Sequence, residues 1–363
     1  MPTYKDTQRN SWYAKFRDRD WKGEVKWVVK RGFKTKREAL QWERDYLEKK
    51  SGNPEVTFSN FVEVYRRDRN PRLKESTQAM KEQIVDTKLI PYFGDKKLGD
   101  ISTTDVIQWQ NELLSHRQPA TGKPYSKAYL KTVHNQLSAI FNHAVRFYKL
   151  KENPAALVGN MGTNKGIQMK YWTKEQYLRF AEVMMEYPTA YYSFQVLYWT
   201  GIREGELLSL TPADVDLTAK TLSVTKTYSV VKGKAMITDP KTPKSIRTVT
   251  IPDFLVEELK LYMRMQYGLK PTDRLFPVSK GYLHHMMNKG SEAAGVPRIR
   301  IHDLRHSHVS LLIDLGFSAV AIADRMGHES IDITYRYAHM FPSVQVDMAD
   351  KLNDLMEVED HVG

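Results

Sequence analysis

The chain has 363 residues, 41% of them hydrophobic and 27% charged, which is the balance of a folded globular protein with more than one core and excludes a disordered or fibrous one. Cysteine is absent, so disulfides, thiolate metal sites and cysteine nucleophiles are excluded together, and no apolar run reaches the roughly 20 residues of a membrane span. The net charge of +12 favours a polyanionic partner over an acidic small molecule.

The charge is unevenly spread. Residues 1–50 hold 15 Lys or Arg against 8 Asp or Glu, whereas the last 23 residues set Lys351 against six acids. The start, MPTYKDTQRN, lacks the apolar core of a signal peptide, so a cytoplasmic location is expected. SWYAKFRD and EVKWVVKRGF, separated by a DWKG turn, alternate large apolar with basic residues as strands do. TKREALQWERDYL follows with Thr35 and Glu38 spaced as a capping box. A small three-stranded sheet with one helix is expected over 1–50, with Trp12, Phe16, Trp21, Trp27 and Phe33 as its core rather than as stacking platforms for bases. The basic residues between them must then face solvent.

SGNPE at 51–55 breaks the chain. From 56 to 158 the pattern is helical: TFSNFVEVY, STQAMKEQIVDTKLIPYF, STTDVIQWQNELL with Ser102 or Thr103 as cap, and SKAYLKTVHNQLSAIFNHAVRF. GNMGTNKGIQM reads as a second linker, and a mostly helical third domain spans 170–363, interrupted by strand-like LSVTKTYSVV and SIRTVTIP. The fold class is therefore mainly α with small β elements.

Four elements of that third domain are each ordinary alone. In TGIREGELLSL, Arg203 and Glu206 share a helix face, which a structural salt bridge alone would explain. In PKTPKSIRTVTI, Lys241 precedes a strand in a hairpin-like stretch. In IHDLRHSH, His302 and Arg305 lie one turn apart, and His302, His306 and His308 offer a weak metal alternative. In DRMGHESIDITYRYAHM, His328 follows a glycine and Tyr337 comes nine residues later.

Together these elements resemble the tyrosine recombinase and integrase family, in the order Arg, Lys, His-x-x-Arg, His, Tyr. The segment GFKTKREA is similar to the arm-site DNA-binding domain of phage and conjugative-element integrases, and the helical middle to their core-binding domain. Met326 departs from the leucine common before the Gly-His, a volume-conserving change. The resemblance implies that Tyr337 attacks DNA to give a 3′-phosphotyrosyl intermediate. It implies that Arg203 and Arg305 fork donors onto the phosphate, that His328 adds a donor, that His302 takes the phenol proton and that Lys241 protonates the leaving 5′ oxygen, with Glu206 in support. No cofactor or metal is implied. Tyr335, followed by Arg336, is a rival nucleophile.

The same resemblance implies double-stranded DNA attachment sites as partners, a homotetramer on two duplexes, and an excisionase and a host DNA-bending protein as accessory partners. VQVDMADKLNDLM is expected as a C-terminal helix that packs on its own domain or on a neighbouring subunit. Integration, with excision as its reversal, is the leading expectation. A resolvase or topoisomerase-like relative, or a non-catalytic DNA-binding regulator on the same scaffold, are the alternatives.

Overall fold

The computed structural model describes residues 3–7, 9–19, 25–51, 56–163, 169–240, 242–335 and 337, and the chain divides into two compact units, 1–165 and 166–363. Lys241, Trp21 and the expected C-terminal helix lie outside the described residues.

In the first unit, β1 (Thr3–Asp6), β2 (Ser11–Arg19) and β3 (Val25–Phe33) form an antiparallel sheet in the order β1-β2-β3. Helix α1 (Lys36–Ser51) covers one face of it: Ala14, Phe16 and Ala39 are buried there, and Phe16 and Phe33 meet Trp42 at 6.2 and 5.9 Å between ring centroids. The Glu38 amide donates to Thr35 Oγ1 at 3.2 Å, so the expected cap is present. The β2–β3 register slips at Trp12/Tyr13, and Gly32, at φ +93°, takes the left-handed conformation that such a bulge requires.

The expectation that Trp27 belongs to the core is corrected. It is 55% exposed on the opposite face of the sheet, with Lys15 Nζ 4.8 Å and the Arg17 guanidinium carbon 5.1 Å from its ring centroid. One helix can cover only one face of three strands, and the period of two puts Trp27 in register with Arg17, on the side Ala14 and Phe16 leave. That outer face also carries Tyr4 stacked on Tyr13 at 5.4 Å and Arg31 over Tyr13 at 5.2 Å. Of the other expected core aromatics, Phe16 is buried and Trp12 and Phe33 are half-buried.

The remainder of the unit is helical: α2 (Phe58–Arg69), α3 (Glu75–Ile84), α4 (Ile90–Phe93), α5 (Thr103–Ser115), α6 (Lys127–Phe147) and α7 (Pro154–Val158). The segment expected as one helix from Ser76 to Phe93 instead passes through a wide π turn at Val85–Leu89 between α3 and α4, which places Leu89 and Phe93 in the core and precedes Pro91. Ser102, not Thr103, caps α5 in a full capping box with Asp105. The core gathers Phe58, Phe61, Phe93, Trp109, Leu137 and Phe141.

The second unit holds α8 (Lys174–Met184), α9 (Pro188–Thr200), α10 (Glu204–Leu207), β4 (Val215–Asp216), β5 (Thr221–Val224), β6 (Thr227–Val231), β7 (Lys234–Thr238) and β8 (Arg247–Thr250). Helices α11 (Asp253–Arg264), α12 (Lys280–Ala293), α13 (Asp303–Asp314), α14 (Ala319–Met326) and α15 (Asp332–Tyr335) complete it. LSVTKTYSVV is not one strand. β5 joins the antiparallel sheet β4-β5-β8, whereas β6 pairs with β7 in a separate hairpin that the sequence reading missed. Lys226 lies at the break, its ammonium 2.6 Å from Asp214.

Helix α9 is buried almost all round and forms the centre of the second core, its Phe194 and Leu197 clustered with Phe180, Leu207, Leu255 and Phe276. A smaller cluster of Val309, Ile313, Ile322, Met326 and Tyr337 lies on the far side of α13. Among the described residues no helix is long and apolar enough to cross a membrane.

Candidate active site

Two glycines set the frame of the site. Helix α9 ends at Gly201 (φ +67°) and α14 at Gly327 (φ +63°), both left-handed caps. Neither tolerates a side chain: a Cβ on Gly201 would lie 2.7 Å from His308 Cδ2, and one on Gly327 2.7 Å from the Lys244 carbonyl oxygen. These closures turn the carbonyl ends of both helices towards one point. Arg305 occupies it, with Nη1 donating to the Gly201 carbonyl at 2.8 Å and Nη2 to the Met326 carbonyl at 2.6 Å. The partial negative charge of two helix C-termini explains why a guanidinium 4% exposed is held without a carboxylate of its own.

Glu206 is the carboxylate at the centre. It is 3% exposed, accepts from Arg203 through both the main-chain N–H at 2.9 Å and Nη1 at 2.6 Å, and accepts from Arg247 Nη2 at 3.0 Å. Burial pushes its carboxyl up, but Arg247 and Arg203 together outweigh this and hold it below the usual carboxylate range. The expected Arg203–Glu206 salt bridge is thus present, as a buried anchor that leaves the Arg203 side chain 38% exposed and fixed in direction.

Arg247 was not singled out by sequence reasoning. It donates from Nε to the Arg325 carbonyl at 3.1 Å and from Nη1 to the Ser245 carbonyl at 3.1 Å, tying β8 to α14 and to Glu206. Its position was legible, since an arginine two residues before buried Val249 in a strand must point inward. Arg325, likewise not singled out, reaches the carbonyls of Thr250 and Trp199 at 3.0 and 3.3 Å and donates to His308 Nε2 at 3.1 Å. The result is a cluster of three mutually repelling guanidiniums, Arg203, Arg247 and Arg305, around the Glu206 carboxylate. Burial first, and then Arg203 and Arg247, push the Arg305 guanidinium down to about 9. Such a surplus of confined positive charge is relieved by an anion.

Beside it lies a cleft of about 320 Å³ lined by Arg203, Glu206, Thr227, Thr242, Ser245 and Glu329, among others. Pro240 and Thr242, the chain neighbours of Lys241, line this cleft, while Lys241 itself is outside the described residues.

The histidines divide. His302 is the residue before α13 and is exposed; desolvation and then the Arg305 charge lower its pKa. His328 is buried and hydrogen-bonded through Nδ1 to the Thr334 hydroxyl at 2.8 Å, so Nε2 is the ring nitrogen that Thr334 does not engage. Its imidazole is pushed down to about 4 by burial and by Arg305, Arg203 and Arg247. His308 turns away to Arg325 and is pushed down to about 3, chiefly by burial, so His302, His306 and His308 do not converge as metal ligands. His306, considered in sequence reasoning only for that metal, contacts Tyr337: its Nδ1 is hydrogen-bonded to the phenol hydroxyl.

Tyr337 is 4% exposed and packs in the small apolar cluster, with its N–H donating to the Thr334 carbonyl at 3.0 Å. The rival Tyr335 lies on the surface, 53% exposed.

These histidines make a stability prediction. His306, His308 and His328 carry folded-state pKa values of about 4, 3 and 4 against an ordinary 6.5. Below pH 6.5 the unfolded chain takes up protons that the folded chain refuses, so stability falls as pH drops from about 6.5 towards 4. Urea unfolding at pH 7.5 and 5.0 is expected to show a lower midpoint at pH 5.0, and an unchanged midpoint would contradict the buried neutral imidazoles.

Three family models match the chain: the phage integrase family over residues 170–343, the phage integrase N-terminal SAM-like domain over 57–114, and an arm DNA-binding domain over 2–50. The ICEBs1 integrase of Bacillus subtilis is 28% identical over 342 residues, covering 89% of this chain and 91% of its own length. A putative prophage phiRv2 integrase of Mycobacterium tuberculosis is 25% identical over 313 residues, covering 84% and 80%. In fold, the chain is similar to the Tn1549 transposon integrase in complex with a circular intermediate DNA, with a TM-score of 0.67 at 18% identity over 82% of this chain and 99% of that one. It is also similar to a lambda integrase dimer bound to a core site, with a TM-score of 0.59 at 17% identity over 92% and 93%.

Proposed function

This chain belongs to the phage integrase family of tyrosine recombinases, and from that premise we propose that it joins a mobile element to a chromosome by cutting and rejoining DNA through Tyr337. The observation that carries the residue assignment is the surplus of buried guanidinium charge around Glu206, next to a buried tyrosine whose hydroxyl is already hydrogen-bonded to an imidazole.

A phenol with a reference pKa near ~10 attacks a phosphodiester only if its proton is removed and the charge on phosphorus is balanced. Arg203 and Arg305 place donors on the non-bridging oxygens, and His328 adds its Nε2 hydrogen. Glu206 and Arg247 hold the clamp in shape. Lys241 protonates the 5′ oxygen as it leaves, and on the family's plan the His302 imidazole takes the phenol proton. The 3′-phosphotyrosyl bond keeps the energy of the bond it replaced, so rejoining runs through the same steps backwards without ATP, and excision follows by reversal. The site's cations balance the phosphate charge, so the chemistry calls for no metal or other cofactor.

The three domains read from the sequence, 1–50, 56–158 and 170–363, then divide the DNA among them. The outer sheet face with Lys15, Arg17, Arg31 and Trp27 holds arm sites, and the two later domains clamp the core site. Affinity rests on phosphate contacts and falls with salt. Two duplexes call for a homotetramer, assisted by an excisionase and a host DNA-bending protein, in the cytoplasm of a bacterial host.

Incubating the full chain with a nicked duplex copied from the recombination junction beside its gene is expected to give a denaturant-resistant, protease-sensitive DNA adduct, also in EDTA. Tight binding without adduct would favour the regulator reading. Removing residues 1–50 is expected to leave this cleavage measurable while weakening the joining of full attachment sites roughly tenfold or more, as loss of one of several linked DNA modules does. Equal loss of both would contradict a separate arm-binding module.

A further inference from the structure

We propose that His306 is the group that takes the proton from Tyr337, with the Asp303 carboxylate behind it, so that Tyr337, His306 and Asp303 act as a nucleophile-activating relay. This rests on the reading of Tyr337 as the nucleophile, and it moves the proton-accepting role from His302, where the family resemblance put it, to its neighbour one turn along.

The geometry is that of an activated nucleophile: an attacking hydroxyl bonded to a base, and the base faced on its other side by a third group. Tyr337 is hydrogen-bonded to His306 Nδ1. The opposite ring nitrogen, Nε2, lies 3.9 Å from Asp303 Oδ1. Too long for a hydrogen bond, that separation is still close enough for the carboxylate to favour a hydrogen on Nε2, which leaves Nδ1 as acceptor. Asp303 is itself fixed: it is 1% exposed and receives four donations from Arg300, from the main-chain N–H at 2.8 Å, from Nε at 3.0 and 3.1 Å and from Nη2 at 2.7 Å. His302 has no such placement. Its ring stands edge-on to that of His306, with centroids 5.3 Å apart, and it faces solvent.

The groups facing His306 are Asp303 and Arg305 on its own helix, His302 and Arg300 in the turn before it, His328 after α14, and Tyr337. Burial, and then the His302 ring, push its pKa down to about 4, so before DNA arrives it is a neutral acceptor throughout the physiological range. A phosphodiester anion entering beside Arg305 offsets the repulsion that opposes an imidazolium. As Tyr337 Oη bonds to phosphorus, its proton passes to His306 Nδ1 and the bond from phosphorus to the 5′ oxygen breaks. That oxygen leaves with a proton from Lys241. On rejoining, the phenolate is expelled and recovers its proton from His306.

The test uses the full chain and two nicked junction duplexes that differ only in the scissile 5′ bridge, oxygen in one and sulfur in the other. A sulfur leaving group needs no proton, so it rescues a lost general acid but not a lost base. His306→Ala is expected to slow adduct formation about 100-fold on both duplexes with DNA binding unchanged. His306→Asn keeps an amide oxygen near Nδ1 that can hold the phenol hydrogen bond without taking the proton. It is expected to fold as the native chain does and to be slow on both duplexes as well. Native rates in either variant, or rescue of His306→Ala by sulfur, would overturn the relay. In each case the wild-type adduct is mapped in parallel: at Tyr337, only the relay is refuted, whereas an adduct elsewhere refutes the nucleophile assignment on which it rests.

Discussion

Tyr337→Phe is expected to bind the junction duplex as tightly as the native chain and to form no covalent adduct, a loss of at least about a thousandfold in cleavage, on the scale seen when an activated nucleophile is removed. The ring is 4% exposed and packs against Val309, Ile313, Ile322 and Met326, and phenylalanine fills the same space. What disappears is the hydroxyl and its bond to His306, a change expected to cost about 1 kcal/mol of stability while removing the attacking atom. Tyr335→Phe is the control. Tyr335 lies on the surface, and its loss is expected to leave cleavage within about twofold, as a surface substitution away from the chemistry does. Gel-shift affinity and adduct yield on the nicked duplex separate the two effects.

Arg305→Lys is expected to retain the fold and to cleave about 100- to 1,000-fold more slowly, the range associated with loss of a donor aimed at developing charge. The guanidinium reaches two carbonyls at once, those of Gly201 and Met326, and its planar fork is what lets it meet both and still present N–H groups to a phosphate. An ammonium at that site has three donors on one atom and cannot span the same points. It would also be buried beside Arg203 and Arg247, which together with desolvation already push the arginine down to about 9. A lysine there loses its proton more readily, so its residual activity is expected to fall further above neutral pH. Equal cleavage by the two proteins would mean that Arg305 serves only to join α9 and α14.

Much of this was legible in the sequence because it depends on local chemistry. Thr35 with Glu38, and Ser102 with Asp105, are helix starts set by orphan N–H groups at the first turn, whatever the rest of the chain does. Gly201 and Gly327 end their helices in the left-handed region, which is why a glycine stands immediately before both the Arg203 and the His328 motifs. The alternation in β2 and β3 correctly located the sheet.

The unread part depends on partners far away in sequence. Which side of β3 faces α1 is decided by Ala14 and Phe16, so Trp27 was misassigned. Arg247 and Arg325 act through Glu206, Thr250, Trp199 and His308, all at least 17 positions distant, so even where the strand pattern turns Arg247 inward its partner is not legible. His306 gains its meaning only from Tyr337, 31 residues on. The break between β5 and β6 is likewise tertiary: Lys226 turns to Asp214 and its carbonyl accepts from the Ser209 hydroxyl at 2.9 Å, so the chain leaves one sheet for another.

The central claim is that one buried tyrosine becomes bonded to DNA. Peptide mass mapping of the adduct formed on the nicked junction duplex tests it most directly. A DNA-linked peptide carrying its modification at Tyr337, absent from the Tyr337→Phe protein, is the predicted result. Modification at Tyr335 would contradict it, because the clamp of Arg203, Arg305 and His328 would then serve a tyrosine that the fold places on the surface.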